Sequence, residues 1–336
     1  MDSTMSDTIT TVELGKRFSG GLEAVRDVTL TVREAEIYGF LGPNGAGKTT
    51  TTSMLTTLLR PTHGRAEVSG IDVAARPEAV RRRIGLVFQR STADADLTGR
   101  ENLEIAAGLC GISRAQARPR IRDLLDRMDL TEVADRFVRT YSGGMQRRLE
   151  IAVGTIHEPE ILFLDEPTLG LDPQGRAGFW RYIRELRAKD HVTIFLTTHY
   201  LDEADQLCDR LSVIDHGSLV ASGTPLELKD RLGGDTIEVT SADGPVDLTD
   251  VLRTVPGATS VTRAGPVYRL KCHRGERLVA KVALAIQPTG AEVTSVVVRK
   301  PSLDEVFLEI TGRAYREEGE PNGSAREHAR NHRRAG

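Results

Sequence analysis

The stretch Gly42-Pro43-Asn44-Gly45-Ala46-Gly47-Lys48-Thr49 decides the reading of this chain. It is a full match to GxxxxGK[ST], and it stands where that pattern has mechanical meaning. The apolar run Glu36–Leu41 reads as a strand that stops at glycine, and Lys48–Leu58 reads as the helix that follows. Glycines at these positions let backbone N–H groups turn inward around β- and γ-phosphates. The start of the next helix adds its partial positive charge. Lys48 is placed to neutralise phosphate oxygens, and the Thr49 hydroxyl is a candidate Mg²⁺ ligand. Thr50, one residue on, completes the set assigned to nucleotide binding.

Further strands are expected at Val28–Val32, Ile84–Phe88, Ile161–Leu164, Val192–Leu196 and Leu211–Ile214. Helices are expected at Arg100–Leu109, Arg114–Met128, Gly144–Ile156, Gly175–Ala188, Leu201–Leu207 and Leu226–Leu232. Strands alternating with helices of this length imply an α/β fold with a largely parallel sheet covered on both faces. Composition shifts at Gly233–Gly234, which reads as a hinge. Beyond it the order β-α-β-β-α-β over residues 236–298 is a split βαβ arrangement. A closing helix over Ser302–Ile310 follows Pro301, with Ser302 as its cap. The expected division is a flexible start at 1–7, a motor domain at 8–232, an accessory α+β domain at 233–312 and a disordered tail at 313–336.

The chain has 336 residues, 45 Lys+Arg against 48 Asp+Glu, and a net charge of −3, which argues against a nucleic-acid binder. Aromatic residues make up only 4%, so base-stacking platforms and carbohydrate clefts are poor guesses. No apolar stretch approaches the roughly 18 residues that a spanning helix needs, and residues 1–11 show no signal-peptide h-region. The three cysteines, Cys110, Cys208 and Cys272, are widely spaced and read as buried thiols in a reducing cytoplasm.

A second acidic element narrows the chemistry. Ile161-Leu162-Phe163-Leu164 is an apolar strand that ends in Asp165 and Glu166. Asp165, at the strand edge, can hold Mg²⁺ through water. Glu166 is placed to orient and polarise an attacking water, as phosphoryl transfer requires. The chain carries no NKxD-type element for reading guanine. Together these features imply ATP hydrolysis.

At Tyr141-Ser142-Gly143-Gly144-Met145-Gln146 the sequence resembles the LSGGQ signature of ABC ATPases. Ser142, Gly143 and Gly144 precede a helix and form a second anion site in one chain. The resemblance implies a head-to-tail homodimer in which this site covers the γ-phosphate held by the phosphate loop of the other copy. The remaining family markers follow in order. Gln89 matches the glutamine that links Mg²⁺ and the nucleophilic water to the membrane partner. Gly170-Leu171-Asp172 resembles the D-loop, with Asp172 directed at the opposite subunit. His199 stands where the family places its switch histidine, and Phe18 matches the aromatic that stacks on adenine, though it reads equally as a core residue. The resemblance covers roughly residues 8–230 and implies a P-loop ABC-ATPase domain, a mixed sheet core plus a helical subdomain.

Tyr141 and Met145 depart from the usual Leu and Gln, while the phosphate-touching Ser-Gly-Gly core is intact. The SGGM form and the stretch Pro301-Ser302-Leu303-Asp304-Glu305-Val306-Phe307-Leu308 are similar to the ATP-binding subunits of bacterial daunorubicin/doxorubicin-resistance exporters. That resemblance implies a motor driving a separate permease, without nucleic acid, located in the cytoplasm and peripheral on the inner face of the membrane. The closing helix has two readings: assembly with the membrane subunit, or packing of Leu303, Val306, Phe307 and Ile310 onto the small domain. The rivals are a non-drug exporter, a non-transport ABC ATPase and a regulatory nucleotide-binding subunit with weak turnover.

Overall fold

The computed structural model describes residues 6–88, 92–231, 234–242 and 246–311. The chain opens with strands β1 (Asp7–Arg17), β2 (Glu23–Arg33) and β3 (Ile37–Leu41), then helix α1 (Lys48–Leu55). Strands β4 (His63–Val68) and β5 (Ile71–Asp72), helix α2 (Pro77–Arg81) and strand β6 (Ile84–Val87) follow. A helical stretch comprises α3 (Gly99–Leu109), α4 (Arg114–Arg127) and α5 (Gly143–Thr155). Next come β7 (Ile161–Asp165), α6 (Pro173–Asp190), β8 (Thr193–Thr198), α7 (Leu201–Leu207), β9 (Arg210–Asp215), β10 (Ser218–Gly223) and α8 (Pro225–Asp230). The last part holds β11 (Asp235–Ser241), α9 (Thr249–Arg253), β12 (Ala258–Ala264), β13 (Val267–Cys272), α10 (Val279–Ile286), β14 (Val293–Arg299) and α11 (Leu303–Thr311).

A six-stranded sheet of order β10-β9-β3-β8-β7-β6 forms the centre, parallel except for β10. Its inner strands are buried on both faces, which is why they read as unbroken apolar runs. Along β7, Ile161 and Phe163 enter one core and Leu162 and Leu164 the other. Phe195 gathers Tyr38, Phe40 and Phe163 around it, with ring centroids 5.4–5.9 Å apart. Gly39 is required here, since a Cβ would stand 2.7 Å from Cys208 Sγ.

The first core is closed by an antiparallel sheet of order β2-β1-β4-β5. Only β2 of this sheet was foreseen from the sequence. β1 reads DTITTVELGKR, with few large apolar residues, and gains its definition from pairing on both sides. The second core is covered by α3 to α7. There Tyr141 is 7% exposed, its hydroxyl donates to the Val133 carbonyl at 2.8 Å, and it fills the space that a side chain on residue 99 would occupy. The Leu-to-Tyr departure is thus a packing feature paired with Gly99. Of the cysteines, Cys208 and Cys272 are buried as expected, but Cys110 is exposed at the end of α3, where the helix turns out of the core.

The third sheet, order β12-β13-β11-β14, is wholly antiparallel and has its own core with α9 and α10. This is the split βαβ order. The closing helix corrects one expectation: α11 does not pack onto this small unit. Leu303, Val306 and Phe307 join the second core of the large unit, where α11 meets α7, α8 and β10. Apolar side chains at three- and four-residue spacing find any complementary face, and spacing alone does not name which. Phe307→Ala is expected to cost about 3–5 kcal/mol of stability, measurable as a lower midpoint in urea unfolding; an unchanged midpoint would contradict this packing.

Candidate active site

Strand β3 ends at Leu41, and the chain turns through Gly45 (φ 79°) and Gly47 (φ 113°) into α1. Both φ values lie in the region that only glycine adopts freely. Gly47 stands at the N-cap of α1 and, having no side chain, offers no capping oxygen of its own to the first N–H groups of the helix. A helix reading KTTTTSML has poor intrinsic propensity. It is held instead by burial of Met54 and Leu55 and by Thr51, whose hydroxyl donates to the Gly47 carbonyl at 2.9 Å. Asn44, Gly45 and Thr49 are exposed, Pro43 and Thr50 half-buried, and Gly42 and Ala46 buried in the base of the loop.

Lys48 is 5% exposed and donates to the Gly42 carbonyl at 2.7 Å. Its ammonium also stands 3.5 Å from Glu166 Oε1. Strand β7 delivers Asp165 and Glu166 to this end of the sheet, and parallel pairing places the end of β8 beside them. The Thr197 hydroxyl donates to Asp165 Oδ1, and the Thr197 carbonyl accepts from Glu166 N at 3.0 Å. Glu166 has φ 45°, a left-handed conformation that costs a non-glycine residue about 1–3 kcal/mol. That turn brings its carboxylate to Lys48 and, at 3.3 Å, to His199 Nδ1. The His199 imidazole 3.3 Å away first, and the Lys48 ammonium second, hold the Glu166 carboxyl below its usual range against the opposing effect of burial. Glu166 is therefore an ionised acceptor at neutral pH. Three residues far apart in sequence thus meet: a carboxylate, an ammonium and an imidazole.

Mg²⁺ is a hard ion that takes oxygen ligands and commonly uses one or two protein groups beside substrate phosphates. The residues fit it: the Asp165 carboxylate, pinned by Thr197, and the exposed Thr49 hydroxyl supply oxygen donors next to the phosphate loop. Gln89, the third candidate ligand, lies outside the described residues.

Ser142 caps α5 by accepting from Met145 N at 3.3 Å. Side chains on Gly143 or Gly144 would meet nothing within 4 Å, so this helix start is open to a ligand. Asp172 caps α6, accepting from Gly175 N at 2.8 Å, while remaining exposed. Phe18 is not a core residue: it is 36% exposed in the turn between β1 and β2, under the Lys16 ammonium. The same hairpin brings the Ala24 carbonyl against Gly47, so Phe18 stands at the phosphate-loop end.

One residue escaped the sequence reading. Arg147, in the signature helix, is 8% exposed and donates to the carbonyls of Pro167 (2.7 Å), Phe88 (2.6 Å) and Asp165 (3.3 Å), and to Glu150. It ties α5 to the acidic strand and to the segment preceding Gln89. Nothing in a Gln-Arg-Arg run distinguishes the inward arginine from the outward one except helical phase. Arg147→Ala is expected to lose about 3–5 kcal/mol, because Glu150 and three carbonyls stay buried without their cation. Chemical denaturation reads this directly, and a loss below 1 kcal/mol, the range of surface pairs, would contradict it.

Comparison with known proteins agrees with this geometry. Residues 25–169 match the family model described as ABC transporter, and residues 223–311 match that of the ATP-binding protein DrrA1-3-like, C-terminal domain. The chain is 46% identical over 309 residues, 92% of its length, to the daunorubicin resistance ATP-binding protein DrrA3 of Streptomyces coeruleorubidus, covering 97% of that protein. Among solved structures it superposes on cbiO1 of Clostridium perfringens, part of the ABC transporter complex cbiONQ, with a TM-score of 0.63 and 27% identity, over 66% of this chain and 90% of that one. It also matches the ATP-binding cassette MJ0796, solved as a dimer bound to ADP and Pi in a post-hydrolysis state, with a TM-score of 0.59 and 25% identity over 64% and 98% of the two chains. The chain belongs to the ABC-transporter ATPases, in the group of the daunorubicin-resistance ATP-binding proteins.

Proposed function

We propose that this ATPase is the motor subunit of a drug-type exporter, working as a homodimer that closes on two MgATP and drives a separate permease. The observation that carries the reading is the meeting of Lys48, Glu166 and His199 at the start of α1. In this reading Gly42 to Thr50 cradle the triphosphate, with Phe18 against the adenine. Lys48 leaves its carbonyl partners to neutralise the β/γ oxygens. Glu166 takes the proton from the attacking water, and His199 holds the γ-phosphate and registers its loss. Mg²⁺, when bound near Thr49, Asp165 and Gln89, supplies charge neutralisation on the phosphates. Ser142, Gly143 and Gly144 of one copy complete the site of the other, with Asp172 at the same junction.

The name of the DrrA3 relative and the DrrA-type C-terminal stretch support export of a drug-like cargo. Among the described residues no helix is long and apolar enough to cross a membrane. In this reading the membrane path belongs to a partner polypeptide, with this chain on the cytoplasmic face. We place the contact around Gln89 and the segment 90–97, next to the half-exposed Phe88 that Arg147 holds by its carbonyl. Co-purification with the permease, then drug efflux from cells expressing both, tests the reading. Efflux that is unchanged when this chain is removed would refute it.

A further inference from the structure

A cavity of about 420 Å³ separates α11 from the open face of the small unit's sheet. Strand alternation defines that face. Ile237, Val239, Leu270 and Val298 turn into the core of the small unit, and Glu238, Arg269, Lys271 and Arg299 turn the other way, into the cavity. Glu238 stands directly across from Arg269 on β13 and diagonally from Arg299 on β14. It accepts from Arg269 Nε at 2.9 Å and from Arg299 Nε at 2.6 Å. These two bonds hold its carboxyl below the usual range. Each guanidinium is thereby fixed through Nε and keeps its two Nη groups, the donors that grip a carboxylate in a planar fork.

Helix α11 supplies the opposite wall. Its Leu303, Val306 and Phe307 are buried in the large unit, while Glu305, Leu308 and Glu309 line the cavity. Glu305 and Glu309 stand one helical turn apart, a like-charge spacing that weakens a helix. The Glu305 carboxylate caps its own helix, accepting from Ser302 N at 3.3 Å. Among the described residues no ion pair joins either glutamate to Arg269, Lys271 or Arg299. Lys300, which also lines the cavity, is paired with Glu276 at 2.9 Å. A cationic wall and an anionic wall therefore share one cavity with no ion pair between them.

We propose that this cavity binds a small zwitterion of the amino-acid class, with its carboxylate on Arg269 and Arg299 and its ammonium on Glu305 and Glu309. A simple anion satisfies the sheet wall but meets two carboxylates on the helix, and a simple amine meets the reverse. A molecule that carries both charges satisfies both walls, and its ammonium bridges the two glutamates that otherwise repel. Pro301 and the half-exposed Leu308 add apolar surface for an aliphatic part. The volume lies in the usual range of small-ligand sites, about 300–1,000 Å³. The arginines belong to the small unit, whereas α11 is anchored in the large one, so the bound zwitterion joins the accessory sheet to the ATPase domain.

The test uses the full chain and adds each of the common L-amino acids in turn while the thermal unfolding midpoint is followed. At least one is expected to raise the midpoint, since a ligand of the folded state stabilises it by mass action, and to titrate calorimetrically to a single site per chain. The amide of that amino acid lacks the carboxylate, and its N-acetyl derivative lacks the ammonium. Each is expected to bind about 10- to 100-fold more weakly, the scale of one charge-assisted hydrogen bond. Arg269→Ala and Glu309→Gln are each expected to weaken binding of the amino acid to a similar degree, while affinity for a fluorescent ATP analogue stays at the wild-type value. The proposal is overturned if no amino acid moves the midpoint, if the N-acetyl derivative or inorganic phosphate binds as tightly as the amino acid, or if either variant binds it as wild type does. Should Arg269→Ala fail to fold, Glu309→Gln, a change of one exposed carboxylate to its amide, decides alone.

Discussion

Glu166→Gln is expected to cut ATP turnover by about 10²-fold or more, the scale at which a positioned general base contributes. The substitution keeps size and hydrogen-bonding reach, so the contact with His199 at 3.3 Å and the left-handed turn at φ 45° can persist. What it removes is the ionised acceptor that His199 and Lys48 hold below the ordinary carboxylate range. It also removes the negative charge facing the Lys48 ammonium at 3.5 Å, leaving that cation freer for phosphate. Binding should therefore survive while hydrolysis fails, and an ATP-bound dimer should accumulate. Gel filtration with and without MgATP, beside a phosphate-release assay, measures both. Normal hydrolysis by this variant would sink the assignment of Glu166 as base.

Lys48→Ala is expected to weaken nucleotide binding by about 10- to 100-fold, taking about 1.5–3 kcal/mol for a charge-assisted hydrogen bond and 1.4 kcal/mol per factor of ten. Lys48 is buried and folded back onto the Gly42 and Pro43 carbonyls, so the charge is already desolvated and aimed at the loop interior. Its removal leaves the Gly42 carbonyl without that donor and Glu166 without its cation. A titration with a fluorescent ATP analogue reads the loss. Wild-type affinity would count against every role assigned to residues 42–50.

Local signals and tertiary decisions separate clearly in this molecule. The phosphate loop was legible because its glycines answer a backbone requirement that sits entirely within eight residues, and the structure puts Gly45 and Gly47 at positive φ as that requirement demands. The acidic strand was legible because a fully buried parallel strand must be apolar up to its exposed edge, which marks Asp165 and Glu166 as the first residues free to be charged. The βαββαβ order of the C-terminal unit was legible from period-two and helical patterns broken by Gly265–Pro266 and similar turns. Phe18 was ambiguous because an aromatic residue serves a core and a hairpin turn equally well. Only its 36% exposure excludes the core.

By itself, then, the sequence determined the motor domain's α/β layout, the phosphate loop, the two carboxylates and the signature. Each is a property of consecutive residues and of the backbone shapes they permit. Only the tertiary structure decided which groups meet. It set Glu166 between Lys48 and His199, sent Arg147 inward to three carbonyls and laid α11 on the large unit instead of the small one. The physical reason is the same in each case. Helical phase and strand register say which side chains share a face, but the partner of a face is chosen by parallel strand order and by where unfilled volume remains in the core.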